Sequence, residues 1–357
     1  MVLRRQPMQP RTSAHFNVRG DPCVKACIHA LMTAAFLCGS AAAFAWGAPG
    51  HQTVGSIADS LLVGTHAAKA VKGILGTEKL KTASVWADCA KGVTEMPPLR
   101  YSVNARYTEC KPFETKGGEA LMVDFVRRNL SACHPAPGDE SCHRQYHYAD
   151  VAIEHDVYAR SEVGTSDHDI VGAVNAAIVV LQGGVSPSPI SFTSKREALR
   201  VLAHYVGDIH QPLHVGAIYL DDQGHEVNPD AGAYDPATRT QGGNKILDHG
   251  RDFHTAEWDP IPASLTAAKF KTGVAQAKLV PPTSGPVTEW AAAWASDTVL
   301  ASHAAFSGLV FGPQNTSGGT WAVTEPAGYS TARAALQKQQ LLKAGARLAQ
   351  LLQAIFP

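Results

Sequence analysis

The segment His204-Tyr-Val-Gly-Asp208-Ile-His210-Gln-Pro-Leu-His214 constrains this chain more than any other. His204 and Asp208 stand four apart, so on a helix both side chains leave one face, one turn apart. Pro212 lacks a backbone N–H and disturbs the helix, which lets His214 point in a different direction. Imidazole and carboxylate groups converging on one point form the donor set that zinc prefers. A fold carrying this segment must therefore gather polar groups around a common centre and recruit further ligands from distant parts of the chain.

The N-terminus has a separate logic. Arg4, Arg5, Arg11, Arg19 and Lys25 form a long basic region, followed by an apolar run over 30–37 and by small residues ending Ala43-Phe44-Ala45. That order predicts a secretory signal over 1–45, hence a secreted or periplasmic protein with no membrane anchor once the signal is cleaved. The length of the basic region leaves room for a start further along, at Met8 or beyond. Cleavage after Ala45 makes Trp46 the first residue of a single domain, 46–357. The signal takes five basic residues and one acid with it, leaving a formal charge of about −4. Binding to nucleic acid through a broad basic field is not indicated, so phosphate chemistry here would draw its positive charge from metal ions. Cys89, Cys110, Cys133 and Cys142 remain, an even set in an exported chain, and read as disulfides. Of the three pairings, Cys89–Cys110 with Cys133–Cys142 closes short local loops. A four-cysteine zinc site competes, but no C-x₂-C spacing supports it.

Apolar residues recur at helical spacing over 56–62, 121–130, 170–181, 195–209 and 331–355. The last run reads as an ordinary packing helix. Alternating patterns are sparse. The Gly-, Asp- and Asn-rich stretch 216–250 reads as a long loop with room for a small hairpin, and 281–286 as a turn between helices. The expectation is one all-α, mainly helical domain with long loops.

Other candidate ligands lie well apart: Trp46 with His51 five residues on, Asp88 in Trp-Ala-Asp, His147 in His-Tyr-Ala-Asp, and His254 and Asp259 after Gly242-Gly243-Asn244. In this order, with His-x₃-Asp-x-His-Gln-Pro-Leu-His, they resemble the zinc-dependent single-strand-specific nucleases of type I (the S-one/P-one class), within the phospholipase C/nuclease fold superfamily. The resemblance runs from Trp46 to about Asp259. It implies three zinc ions. Asp88, His147, His204 and Asp208 would hold one, and His214, His254 and Asp259 a second. The amine and carbonyl of Trp46, His51 and a bridging Asp208 would hold the third, so cleavage at Ala45 would itself complete the site. The resemblance also implies in-line hydrolysis of phosphodiesters to 5′-phosphate products, with Asp88, Asp208 and Lys91 serving catalysis. Lys91 would contact phosphate, Tyr148 would stack on a nucleobase and Asp150 would contact it. His210 and His249 are left for supporting or surface roles.

One spacing departs from that family. Its last His and carboxylate stand four apart, whereas Asp259 follows His254 by five. Trp258-Asp259 matches the family's Trp-Asp pair, which favours Asp259 as the ligand and Glu257 as the substitute. A π-bulge or a loosened helix start would absorb the extra residue. The functional expectation is a monomeric, zinc-dependent endonuclease or 3′-nucleotidase acting on single-stranded DNA and RNA. A zinc-dependent phospholipase C ranks second. A non-catalytic secreted zinc protein ranks third, because structural zinc is normally closed by four protein ligands, whereas His214, His254 and Asp259 leave positions open.

Overall fold

The computed structural model describes residues 46–357, so the expected signal segment and Cys23, Cys27 and Cys38 lie outside the described residues. The helices are α1 (Ala48–Leu61), α2 (His66–Leu75), α3 (Leu80–Ala83), α4 (Trp86–Ala90), α5 (Lys116–Arg128), α6 (Cys142–Gln145), α7 (Ile170–Leu181), α8 (Lys195–Asp208), α9 (Gly273–Ala277), α10 (Trp290–Phe306) and α11 (Tyr329–Ile355). Helix α8 is the axis of the molecule. Ser194 caps it by accepting from the Glu197 N–H, and every residue from Glu197 to Asp208 is buried. Helices α1, α2, α3, α4, α7 and α11 all pack against it. Its polar residues therefore meet only other protein groups, and each needs a partner. Helix α7 begins where the Asp169 carboxylate accepts from Val171 and Gly172, and its apolar residues are buried on nearly all sides.

The helical content and the limited strand content agree with the sequence. The strands assemble in a way that local pattern does not show. Val151–Ala152 (β1) pairs in parallel with Gly216–Ala217 (β2). Ile246–Asp248 (β3), Arg251–Asp252 (β4), Val310–Asn315 (β5) and Thr320–Thr324 (β6) form a sheet ordered β4-β3-β6-β5. The β3–β4 hairpin turns at His249 and Gly250, both with positive φ (48° and 77°), as a two-residue hairpin demands. This places His249 at an exposed turn. Behind the sheet, Phe253, Trp258, Phe306, Trp321 and Tyr329 form a second apolar cluster. There Trp258 donates to the Tyr329 hydroxyl at 3.1 Å, and Gln337 donates to the Trp258 carbonyl at 3.0 Å. Both disulfides form as the local pairing suggests, Cys89–Cys110 and Cys133–Cys142. Among the described residues, no helix is long and apolar enough to cross a membrane.

Candidate metal centre

His204 and Asp208 leave the last turn of α8 on one face, and both are fully buried. Asp208 Oδ2 lies 3.0 Å from His204 Nε2 and 2.9 Å from His147 Nδ1. Its other oxygen, Oδ1, lies 3.1 Å from His51 Nε2 on α1. Asp88, on α4, brings Oδ1 to 3.6 Å from His204 Nε2 and 4.0 Å from His147 Nδ1. The Lys91 ammonium sits 2.9 Å from that same Asp88 oxygen. Donor atoms bound at 2.0–2.1 Å to one tetrahedral ion stand about 3.3 Å apart, and these separations bracket that value.

Pro212 ends the helical path, and the short turn Pro212–His214 sends His214 to a second group with His254 and Asp259. His254 Nε2 lies 3.3 Å from Asp259 Oδ1. The five-residue spacing is accommodated by a single π-turn, His254–Trp258, in which the Asp259 N–H donates to the His254 carbonyl at 3.1 Å. Glu257 points elsewhere, pairing with Arg251 and Arg333. His210 also stays apart. Its Nδ1 donates to the Val206 carbonyl and its Nε2 accepts from Arg347, so neither ring nitrogen remains available.

Ring orientation is set by the nitrogen on the far side. His204 Nδ1 donates to the Ser84 carbonyl at 2.6 Å and His214 Nδ1 donates to the His147 carbonyl at 2.8 Å. Both bonds present Nε2 to the centre, which is how imidazole ligands are commonly oriented. Gln211 belongs to the second group. Its amide lies 2.9 Å from His254 Nε2 and 3.3 Å from Asp259 Oδ1. Its role was not evident in sequence, although it stands inside the His-Gln-Pro-Leu-His motif. Trp46 is fully buried, with its indole N–H donating to the Gly207 carbonyl at 3.0 Å, and Gly47 N–H donates to the Asp259 carbonyl at 2.9 Å. The start of the domain is thus pinned between the two groups.

The electrostatics suit a cation. Burial, then the neighbouring His204, holds His51 below the usual histidine range. Burial, then Lys91, does the same to His147, and burial pushes His214 down to about 3. Burial thus favours the neutral, lone-pair-donating form of these three rings, whereas His204 and His254 are held above the usual range because Asp208 and Asp259 outweigh burial. Burial pushes the Asp88 and Asp208 carboxyls up, but Lys91 and His204 respectively lead the opposing charges, and both carboxyls are held below their usual range. Asp259 is raised to about 7 by burial against the pull of His254. His51 Nε2, Asp208 Oδ1, His214 Nε2 and Asp259 Oδ2 are buried without a hydrogen-bond partner. Leaving such groups unsatisfied costs about 1–3 kcal/mol apiece. That makes the donor set fit divalent metal, in three groupings: His51–His204–Asp208, Asp88–His147–His204 and His214–His254–Asp259.

A family model described as S1/P1 Nuclease matches residues 46–357. The chain belongs to the S1/P1 nuclease family. It is also 27% identical over 183 residues to "Endonuclease 2" of Arabidopsis thaliana. That match covers 50% of this chain and 48% of the plant protein, so the chain spans about half the length of this curated relative. The family match starts at Trp46, the residue that expected signal cleavage would expose.

The remaining sequence candidates lie beside the metal groups. Tyr148, half-buried, lines a cavity of about 360 Å³ together with Tyr234, His168 and Arg239. Asp150 is buried, and its Oδ2 accepts from Arg239 Nε at 3.0 Å. Gly242, at φ 56°, connects this region to the metal groups. A Cβ there would stand 2.4 Å from the Leu213 carbonyl oxygen, 3.4 Å from Asp150 Oδ1 and 3.6 Å from His254 Nδ1. The Gly-Gly-Asn motif therefore serves close backbone approach. Arg239 was missed in sequence because it belongs to no motif. The one signal available was its position five residues before Asn244.

Proposed function

We propose that this chain is a zinc-dependent phosphodiesterase that hydrolyses single-stranded DNA and RNA to 5′-phosphate products, and that also releases inorganic phosphate from 3′-nucleotides. The observation that carries the reading is the placement of Asp208. Its two oxygens face different histidines, His51 on one side and His147 with His204 on the other, as a carboxylate bridging two cations requires. Asp88, His147, His204 and Asp208 would hold one zinc ion, His214, His254 and Asp259 a second, and His51, Asp208 and the freed Trp46 amine and carbonyl a third. Zinc bound there would lower the pKa of bound water, neutralise charge on the phosphoryl oxygens and stabilise attacking and leaving oxygens.

The chain's own residues supply the rest. Asp88, whose Oδ1 belongs to the metal group and lies 2.9 Å from Lys91, would serve catalysis by holding the ion that activates water. Lys91, fixed against Asp88, contributes a cation for the scissile phosphate. Tyr148 offers a face to one nucleobase, and Asp150 supports the polar edge of that subsite. Stacking on an aromatic ring needs a base already free of its neighbours, which favours single strands. The segment 1–45 is a removed signal in this reading, so the mature protein is secreted or periplasmic and works as a monomer. A lipid substrate would give Tyr148 no base to stack on, which ranks a phospholipase below a nuclease.

The test is metal analysis of mature protein beginning at Trp46, paired with assays on single-stranded DNA, RNA, 3′-AMP and a phosphatidylcholine analogue. Three zinc ions per chain and turnover of the nucleic acids are expected. Turnover of the lipid analogue alone would replace this reading with the phospholipase one.

A further inference from the structure

Arg239 lines the cavity beside Tyr148, together with Asp139 and Asp169, whereas Asp150 does not. Asp150 is only 2% exposed. Arg239 is held at its backbone and at two guanidinium nitrogens. Its backbone forms an antiparallel bridge with Tyr219, its Nε donates to Asp150 Oδ2 at 3.0 Å, and its Nη1 donates to Asp139 Oδ1 at 3.4 Å. Asp150 is itself locked, because its N–H donates to the Gly164 carbonyl and its own carbonyl accepts from the Tyr219 hydroxyl at 2.7 Å. Nη2 has no hydrogen-bond partner among the described residues. A guanidinium has five N–H groups. Two are engaged here, which leaves three, both of those on Nη2 among them, for a ligand in the cavity that Arg239 lines.

We propose that Arg239 is a specificity-determining residue that reads the acceptor edge of the base stacked on Tyr148 and selects guanine. The inference rests on the nuclease reading. Guanine presents O6 and N7 side by side, which a guanidinium fork meets with two parallel hydrogen bonds. Adenine sets an N6 amino donor beside N7, and donor against donor is repulsive. Thymine and uracil offer one carbonyl on that edge, and cytosine an amino group. The surroundings favour a base over a phosphate, because Asp150 and Asp139 flank the guanidinium and compensate its charge. What remains is directional donors more than net attraction for a polyanion. Asp150 then acts as a positioning residue, orienting Arg239 without touching the base.

The experiment measures kcat/KM of the zinc-loaded enzyme on four dinucleoside monophosphates, each carrying two copies of one base, for wild type, Arg239→Lys and Asp150→Asn. Wild type is expected to prefer guanine over adenine by about fivefold to 150-fold, the range for one good bidentate contact. Arg239→Lys keeps the charge but loses the fork, so its four values should converge. Asp150→Asn should narrow the ratio in the same direction. If Arg239→Lys melts well below wild type, the pair Asp150→Asn with Arg239→Gln removes both charges and must show the same convergence. Equal rates on all bases in wild type overturn the proposal. So does a base-independent loss in Arg239→Lys with a shallower salt dependence, which would mark a phosphate contact. Calorimetric titration with 5′-GMP and 5′-AMP separates the two readings. Preference for 5′-GMP that vanishes in Arg239→Lys, in a protein that cleaves no dinucleotide, would sink the nuclease reading and leave the role of Arg239 standing. Equal affinity for the two nucleotides in an active enzyme would do the reverse.

Discussion

Replacing Gly207 with Ala should damage the metal centre without touching a proposed ligand. A Cβ at this position of α8 would lie 2.7 Å from His51 Nδ1 and 3.0 Å from its Cε1, where ordinary contact begins near 3.4 Å. The ring must therefore retreat by about 0.7 Å or the helices must part. His51 has nowhere empty to go. It is fully buried and stacks on His204 with ring centroids 3.8 Å apart. Gly207 also accepts the Trp46 indole N–H through its carbonyl, so a shift of α8 would disturb the start of the domain as well. A functional constellation tolerates displacement of about 0.5 Å, and 1 Å can cost about 10²-fold in rate. Gly207→Ala should thus lose roughly 30- to 100-fold in kcat/KM, and overpacking should cost about 1–3 kcal/mol of stability. The assay is zinc content and single-strand hydrolysis, with thermal melting alongside. Gly73→Ala is the control, since a Cβ there meets nothing within 4 Å on the exposed side of α2. It should stabilise by about 0.5–1 kcal/mol and leave the rate alone. Full zinc content and a wild-type rate in Gly207→Ala would refute the claim that close packing of α8 on His51 sets the site.

Four further outcomes follow from the same geometry. Asp259→Ala should lose one zinc ion and most activity, whereas Glu257→Ala should keep the metal and only loosen Arg251 and Arg333; zinc titration giving the opposite pattern would overturn the π-turn assignment. Asp208→Asn should bind fewer zinc ions and be nearly inactive, while Lys91→Ala should lose about 10²–10³-fold or less; normal zinc content in Asp208→Asn would count against bridging. Chelation should lower the melting temperature by about 6 °C per site occupied at a thousand times its Kd. That figure comes from about 4 kcal/mol of linkage divided by the unfolding entropy of about 310 residues; calorimetry showing an unchanged melting point after complete zinc removal would rule it out. Protein carrying one extra residue before Trp46 should hold one zinc ion fewer, and full metal content with full activity in that form would exclude the amine as a ligand.

How much of this was readable in advance depended on whether the deciding contacts are local. Helix α7 begins and ends where periodicity placed it because Asp169 caps it and its own side chains bury it. The opening segment showed the site's polarity because His204 and Asp208 sit one turn apart on a single helix. The four-stranded sheet left no such trace. Strand β5 contains Gly312 and Pro313, which suit an edge strand and weaken the alternating signal, and β3 depends on Trp321 and Ala322, far along the chain, for its partner. Arg239 was hidden for the same reason, since Asp150 precedes it by 89 residues.

The five-residue gap between His254 and Asp259 is a different case, because the irregularity was visible in sequence while its resolution was not. On an ideal helix the two side chains would diverge by about 140°. Lengthening one turn to an i→i+5 hydrogen bond restores convergence at 3.3 Å. A π-turn is rarely favourable alone, so something must hold it open. Trp258, fully buried, donates to Tyr329, and its carbonyl is held by Gln337 from α11. The second core behind the sheet therefore helps to hold His254 and Asp259 together. Removing the Tyr329 hydroxyl or the Gln337 amide would relax the turn toward α-helical spacing and swing Asp259 away from His254.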